Sequence, residues 1–251
     1  MSFRKGDIRL SEILKHLGAM SDGATGDSPK CPPRNHGSQP KNVNVRAAGH
    51  EDPFWPAGVE SPGAILEKGG ADWASRRNDP LLRDAIAKVV LYLQVQRDIY
   101  HQVGHPLSEA CKAELKGFFS SALLERVRIV ELKERRVANP WFYEEARAKG
   151  IQNLPDISHK VAVTFLDVVV FNQKVTQRDL FHGLVHSAQF SLLGLERFTQ
   201  LFVTGFLQAR SYFLIPLKAH AFALDTRYAE DPQAPFSVED EIRRWHAQGR
   251  Y

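Results

Sequence analysis

The pattern of apolar and polar positions becomes regular at about residue 80, where apolar residues recur at helical spacing. Residues 78–80, Asn-Asp-Pro, form a helix start in which a polar cap is followed by proline in the first turn. The run that follows predicts one long helix to about Tyr100, and the Gly-His-Pro segment at 104–106 breaks it. A second helix is predicted over 108–121. The pattern therefore predicts that the folded part of the chain begins with a helical region.

The spacing of apolar residues changes from helical to alternating at residue 126. Charged and apolar residues alternate over 126–132, which predicts a half-buried strand. β-branched and aromatic residues predict one or two more strands over 161–165 and 167–171. A small sheet is therefore expected inside a mostly helical domain.

Helical spacing returns after residue 176. Thr176 with Asp179 three residues later resembles a capping box, and it predicts a helix that Gly194 should end or kink. Three further helices are predicted over 196–210, from residue 216, and from 237 to about 246. The fold class that follows is α+β, with one domain over 75–251.

The first 74 residues predict a largely disordered N-terminal arm. Segment 21–44 has almost no apolar residue to bury, so it cannot offset the entropy lost on ordering. The alternative, which stays open, is an arm docked over a groove of the domain, with Phe54 and Trp55 laid onto its surface.

Composition narrows the classes of function. The chain has 251 residues, 43% of them hydrophobic and 25% charged, as is typical of globular proteins. No apolar stretch is long enough to span a membrane, and the N-terminus does not resemble a secretory signal. Two cysteines, Cys31 and Cys111, predict a reduced, cytoplasmic protein. The net charge of +4 is too small to predict a nucleic-acid partner, and oligomeric state stays open.

The candidate chemistry lies on the helix predicted after Thr176. His182 and His186 are four residues apart, so both imidazoles project from one face of this helix, within reach of one metal ion. Gln189 continues the same face one turn later. A helix that directly follows strands is the setting in which such a pair binds zinc in metallopeptidases.

Residues 107–246 resemble a bacterial-type zincin domain, the metallopeptidase fold that carries H-E-x-x-H on its active-site helix. The segments that carry the resemblance are Val168–Asn172, Leu180–His186 and Ile215–Ala221. The resemblance implies a mostly helical fold with a small sheet packed on the HxxxH helix, and an edge strand over 167–172. It also implies zinc on the histidine pair and a third ligand, a glutamate, from the helix that begins at residue 216.

Two residues depart from the zincin pattern. Gly183 stands where the family has the glutamate that acts as general base on zinc-bound water, and Lys218 stands where the third ligand is expected. Glycine cannot take a proton and an ammonium group repels a cation, so ordinary peptide hydrolysis is not expected. The glycine suggests either relaxed selection or a need for space beside His182 that a ligand fills.

Whether a metal is bound stays open at this point. His220, two residues after Lys218, could supply a nitrogen ligand in place of the lost carboxylate, although the two positions point in different directions on a helix. Asp225 and Glu196 are other oxygen donors, more distant in the motif. One alternative is therefore zinc or another divalent metal on the histidine pair and His220. The other is a metal-free pair held by hydrogen bonds.

The sequence predicts a diverged zincin-fold protein that binds or acts on a small molecule in the old active-site cleft. Gly183, Gln189 and Lys218 are the candidate substrate-binding residues. Tyr212, between two late helices, is a candidate catalytic proton donor, with a core anchor as the alternative. The alternative function is a non-catalytic pseudopeptidase that pairs a protein or peptide partner with the edge strand over 167–172.

Overall fold

The computed structural model describes residues 79–151, 153–208 and 212–251. The predicted N-terminal arm, with its Phe54 and Trp55 anchor, lies outside the described residues. The helices are α1 (Pro80–His101), α2 (Glu109–Leu115), α3 (Ser121–Arg126), α4 (Tyr143–Ala148), α5 (Gln177–Leu193), α6 (Leu195–Gln208), α7 (Pro216–Glu230) and α8 (Val238–Ala247). The strands are β1 (His105–Pro106), β2 (Arg128–Glu131), β3 (Ala162–Phe165) and β4 (Val168–Phe171).

The helix boundaries follow the capping residues that the sequence predicts. The side chains of Asp79, Thr176 and Ser237 each accept a hydrogen bond from a backbone N–H in the first turn of α1, α5 and α8. Pro216 opens α7. Gly194 has a φ of +77°, a conformation that glycine adopts without strain, and α5 ends there. None of the helices in the described ranges is long and apolar enough to cross a membrane.

The helix predicted over 108–121 ends earlier in the structure, because α2 stops at Leu115 and a separate helix, α3, begins at Ser121. Ser108 caps α2 by accepting a hydrogen bond from the backbone N–H of Cys111, and Ser120 caps α3 in the same way from Leu123. Two capping serines start two helices, because each satisfies the exposed N–H groups of a first turn. Arg126 therefore belongs to α3, and the strand predicted from 126 begins two residues later as β2.

The four strands form one sheet in the order β1-β2-β4-β3. β2 and β4 are parallel, while the other two pairs are antiparallel. The prediction of an edge strand over 167–172 is wrong, because β4 lies between β2 and β3 and all four of its residues are buried. Segment 104–106 ends α1 as predicted, but its last two residues also pair with β2. The strand at this edge of the sheet, beyond β4, is β3.

Alternation along β4 divides the hydrophobic core into two parts. Val168 and Val170 pack into the part that contains side chains of α1, and Val169 and Phe171 pack into the part that contains side chains of α5. α5 lies on β3 and β4 and makes its most extensive helix contact with α7. The predicted α+β fold, with a small sheet packed on the helix of the histidine pair, is confirmed.

Candidate functional site

A cavity of about 410 Å³ lies beside the histidine pair, between α1, β3, α5 and α6. We call it the apolar cavity, because most of its lining is hydrophobic. Its volume is within the roughly 300–1,000 Å³ range of small-molecule sites. Representative apolar lining residues are Leu82, Val89, Val163, Phe198, Phe202 and Val203. The polar lining residues that bear on chemistry are His182, His186, Lys160, Tyr212 and Lys218.

His182 and His186 lie side by side on the cavity wall. Their ring centres are 4.8 Å apart and the ring planes are nearly perpendicular, at 83°. Both residues line the apolar cavity, as their four-residue spacing predicts. Burial keeps the pKa of each imidazole well below its ordinary value, and the nearby charge of Lys218 lowers both further. Both rings are therefore neutral at physiological pH.

A buried carboxylate on α7 orients His182. Its Nδ1 lies 2.6 Å from Oδ2 of Asp225, whose side chain is only 3% exposed. Arg178 donates to the other oxygen of Asp225 at 2.7 Å. Burial raises the pKa of Asp225 to about 6, although Arg178 opposes the rise, so the carboxylate is ionised at pH 7. An ionised carboxylate accepts the Nδ1–H of His182, which leaves Nε2 as a proton acceptor.

The tautomer of His186 follows from its hydrogen bond to Gln189. The side-chain amide nitrogen of Gln189 donates to the backbone carbonyl of Leu217, so its amide oxygen faces the ring. That oxygen is 2.7 Å from Nδ1 of His186, which must therefore carry the hydrogen. The remaining nitrogen, Nε2, is buried and has no hydrogen-bond partner in the part of the chain that is described. Gln189, predicted to bind substrate, instead positions His186.

His220 makes other contacts than the histidine pair in the described residues, so the structure gives no support to its predicted role as third metal ligand. Its ring stacks on the indole of Trp245, with centroids 3.9 Å apart, and its Nδ1 lies 2.6 Å from the hydroxyl of Tyr251. His220 does not line the apolar cavity. Positions 218 and 220 lie on different faces of α7, because a helix turns about 100° per residue. Burial lowers the pKa of His220 to about 3.

The donor set beside His182 and His186 does not fit a zinc site. Three protein ligands are the minimum in catalytic zinc sites. Over the described ranges, no group of three histidine, cysteine, aspartate or glutamate side chains is arranged to hold a metal ion. Asp225, the nearest carboxylate to the pair, is already bonded to Arg178 and to His182 Nδ1. Lys218 adds a positive charge where a ligand would be needed.

Gly183 is required by close packing against the sheet. A Cβ atom at this position would lie 2.5 Å from Cγ1 of Val169 in β4. The sequence left open whether a ligand fills the space at this glycine, and on this side a buried valine occupies it. Gly183 still lines the apolar cavity, but it contributes backbone only. The missing side chain lets α5 approach the sheet closely.

Lys218 and Lys160 both lie close to the aromatic ring of Tyr212. The Nζ atoms are 5.1 Å and 4.2 Å from the ring centre, respectively. Burial lowers the pKa of Lys218 to about 8, so its amine is mostly protonated at pH 7. Burial raises the pKa of Tyr212 to about 12, which keeps its hydroxyl protonated. Tyr212 therefore lines the cavity, and its prediction as a catalytic proton donor stays a prediction.

Sequence reasoning undervalued two contributors to the site. Asp225 was considered only as a distant metal ligand, whereas it is the hydrogen-bond partner of His182. A signal was present, because Asp225 follows Lys218 by seven residues and so lies on the same face of α7 two turns later. The second contributor is the set of α1 side chains that line the apolar cavity. No comparable indication of these was present in the sequence, since the side of α1 that faces the cavity depends on tertiary packing.

Comparison with known proteins found no matching family model, no similar curated protein and no similar solved structure. The function of the site therefore has to be argued from its own geometry.

Proposed function

We propose that this protein binds a small, largely apolar molecule in the apolar cavity, with His182, His186 and Lys218 as its polar contacts. The observation that carries the proposal is the cavity itself, about 410 Å³ in volume, with a hydrophobic lining and a few polar groups beside one another. We also propose that the protein is a diverged zincin-fold protein. The histidine pair on a helix that packs on a sheet supports this ancestry.

The residues of the site support proton transfer but not ordinary peptide hydrolysis. His182 can accept a proton at Nε2, and the carboxylate of Asp225 would stabilise the imidazolium that forms. A positioned acid–base group of this kind typically contributes about 10²–10⁴-fold to a rate. Position 183 has no side chain to activate water, and position 218 carries a cation. Binding, with proton transfer to or from the bound molecule as its extension, is thus the better-supported function.

Filling the cavity tests the proposal. Ala85 lines the apolar cavity from α1, whereas Ala87 on the same helix is exposed and does not. We expect the wild-type protein and the Ala87→Trp variant to bind the neutral apolar fluorophore N-phenyl-1-naphthylamine, which brightens in apolar surroundings. The Ala85→Trp variant should bind it at least tenfold more weakly, because the indole takes up cavity volume. Fluorescence titration measures all three.

The result that contradicts the proposal is equal binding by both variants, since the fluorophore would then be bound elsewhere. Thermal melting should accompany the titration, so that a loss of binding by an unfolded variant is not misread. Ala87→Trp is a matched control because it adds the same side chain to the same helix.

The second candidate function is a pseudopeptidase that binds a peptide, and one observation favours it. β3 is an outer strand of the sheet formed by the described residues, and it borders the apolar cavity. An extended chain could add to such an edge. A blocked peptide of alternating threonine and valine would then slow amide hydrogen exchange in 162–165, while unchanged exchange argues against this function.

A further inference from the structure

The polar residues around Lys218 carry more positive than negative charge, because Lys218, Lys160 and Arg178 face the single carboxylate of Asp225. Arg178 and Asp225 form an ion pair, with a nitrogen–oxygen distance of 2.7 Å. Lys218 interacts electrostatically with that carboxylate but makes no ion pair or hydrogen bond with any described residue. The two histidines are neutral and Tyr212 is protonated. The ammonium of Lys218 is thus left without an ion-pair partner of its own among the described residues.

From this geometry we infer that the ligand of the apolar cavity is an amphiphile with an apolar body and a single carboxylate, which pairs with Lys218. The inference rests on the proposed function, because it names the class of molecule that the same cavity takes. A partly buried ammonium that shares its only nearby carboxylate, Asp225, with Arg178 is costly, and a ligand carboxylate would offset that cost. The hydrophobic walls supply the surface for the rest of the molecule.

A monoanion fits this site better than a neutral or cationic ligand. A neutral ligand would leave the Lys218 ammonium unbalanced in a hydrophobic cavity, and a cation would add repulsion. Lysine presents a compact point charge, which suits one carboxylate oxygen and does not require a bidentate partner. Lys160, whose Nζ is 4.2 Å from the centre of the Tyr212 ring, adds positive potential to the same region.

Three ligands of equal chain length but different head-group charge test whether the cavity prefers an anionic, a neutral or a cationic ligand. Decanoate, decanol and decylamine are titrated against the full-length protein, with displacement of N-phenyl-1-naphthylamine as the readout at about pH 7. We expect decanoate to bind at least tenfold more tightly than decanol, and decylamine to bind most weakly. The Lys218→Met variant should lose the preference for decanoate over decanol while it retains decanol binding.

Two control variants make the assignment specific to Lys218. Lys174→Met removes an exposed lysine that does not line the cavity, and it should keep the wild-type preference. Lys218→Arg retains the positive charge and should keep most of the preference. Equal affinity of the wild-type protein for decanoate and decanol would overturn the carboxylate inference but leave the proposed function intact. If no ligand binds to the wild-type protein, the proposed function fails as well.

A pH titration of the wild-type protein tests the inference without any substitution. Decanoate stays ionised above pH 7, Asp225 is ionised, Tyr212 stays protonated and the histidines stay neutral. The other charged groups at the cavity are Lys160 beside Tyr212, and Asp79, Asp84, Lys88, Glu145 and Lys149 at the α1 and α4 side. Lys218 is the group whose pKa burial brings into the range of the titration. Its pKa is about 8. The preference for decanoate over decanol should therefore fall about tenfold between about pH 7 and about pH 9.5. A preference that does not change over this range contradicts pairing with Lys218.

Discussion

Substitution of Gly183 by alanine tests the close contact between α5 and the sheet. The added methyl group would lie 2.5 Å from Cγ1 of Val169, far inside van der Waals contact. Val169 cannot easily yield, because β4 is buried between two other strands and Val169 is fully buried. Overpacking of a core usually costs about 1–3 kcal/mol. Alanine in place of glycine in a helix returns about 0.5–1 kcal/mol.

The expected net loss of stability for Gly183→Ala is therefore about 1–2 kcal/mol. For a domain of this size, a loss of about 1 kcal/mol lowers the melting temperature by about 2–4 °C. Calorimetry and urea unfolding measure the change. Gly205→Ala in α6 is the matched control, because its nearest contacts would be 3.1 Å and 3.2 Å and need only small shifts. Its stability should change by less than about 1 kcal/mol.

A double-mutant cycle with Val169→Ala identifies the contact. Val169→Ala alone removes two buried methyl groups, at about 0.8 kcal/mol each plus a cavity term. In the double variant the new methyl at position 183 occupies part of the vacated space. The combined loss should therefore be smaller than the sum of the single losses by at least about 1 kcal/mol. Additive effects, or a stabilising Gly183→Ala, would refute the reasoning.

The remaining predictions concern acid stability, metal content and the polar contacts behind the cavity. Since the pKa of His220 falls to about 3 on folding from 6.5, stability is lost as the pH falls below 6.5, and His220→Phe should flatten that slope by up to about 1.4 kcal/mol per pH unit in urea unfolding. An unchanged slope would contradict burial of the neutral ring. Elemental analysis should find less than stoichiometric zinc, and stoichiometric zinc that is lost in His186→Ala would disprove our view of the donor set. Asn172→Ala removes hydrogen bonds to the backbone of Val137, Ile157 and Lys160, at 2.7, 3.1 and 2.9 Å, and should cost about 2–4 kcal/mol in thermal unfolding. A cost below about 1 kcal/mol would mean that these contacts are replaced by water.

Local sequence signals predicted the elements that carry the site. Polar caps and proline marked the starts of α1, α5, α7 and α8, and Gly194 marked the end of α5, because these residues act within one turn. β-branched and aromatic residues marked β3 and β4. The shared face of His182 and His186 followed from helix geometry alone.

Features that depend on distant parts of the chain could not be predicted in the same way. The inner position of β4 depends on its parallel pairing with β2, which is some forty residues earlier in the chain. The contact of Gly183 with Val169 depends on how closely α5 approaches the sheet. Helix geometry predicted that Lys218 and His220 point in different directions. It did not predict that the His220 ring would contact Trp245 and Tyr251. Pairings of this kind come from tertiary packing and leave no local pattern.

The position of Tyr251 has a practical consequence for anyone preparing the protein. Its hydroxyl bonds to His220, and Gln189, which orients His186, is close enough to oppose the rise in the Tyr251 pKa. A preparation in which this tyrosine is missing or replaced would therefore lose part of the support of the histidine pair. Ligand measurements on such a preparation would report the lost support as well as the properties of the cavity.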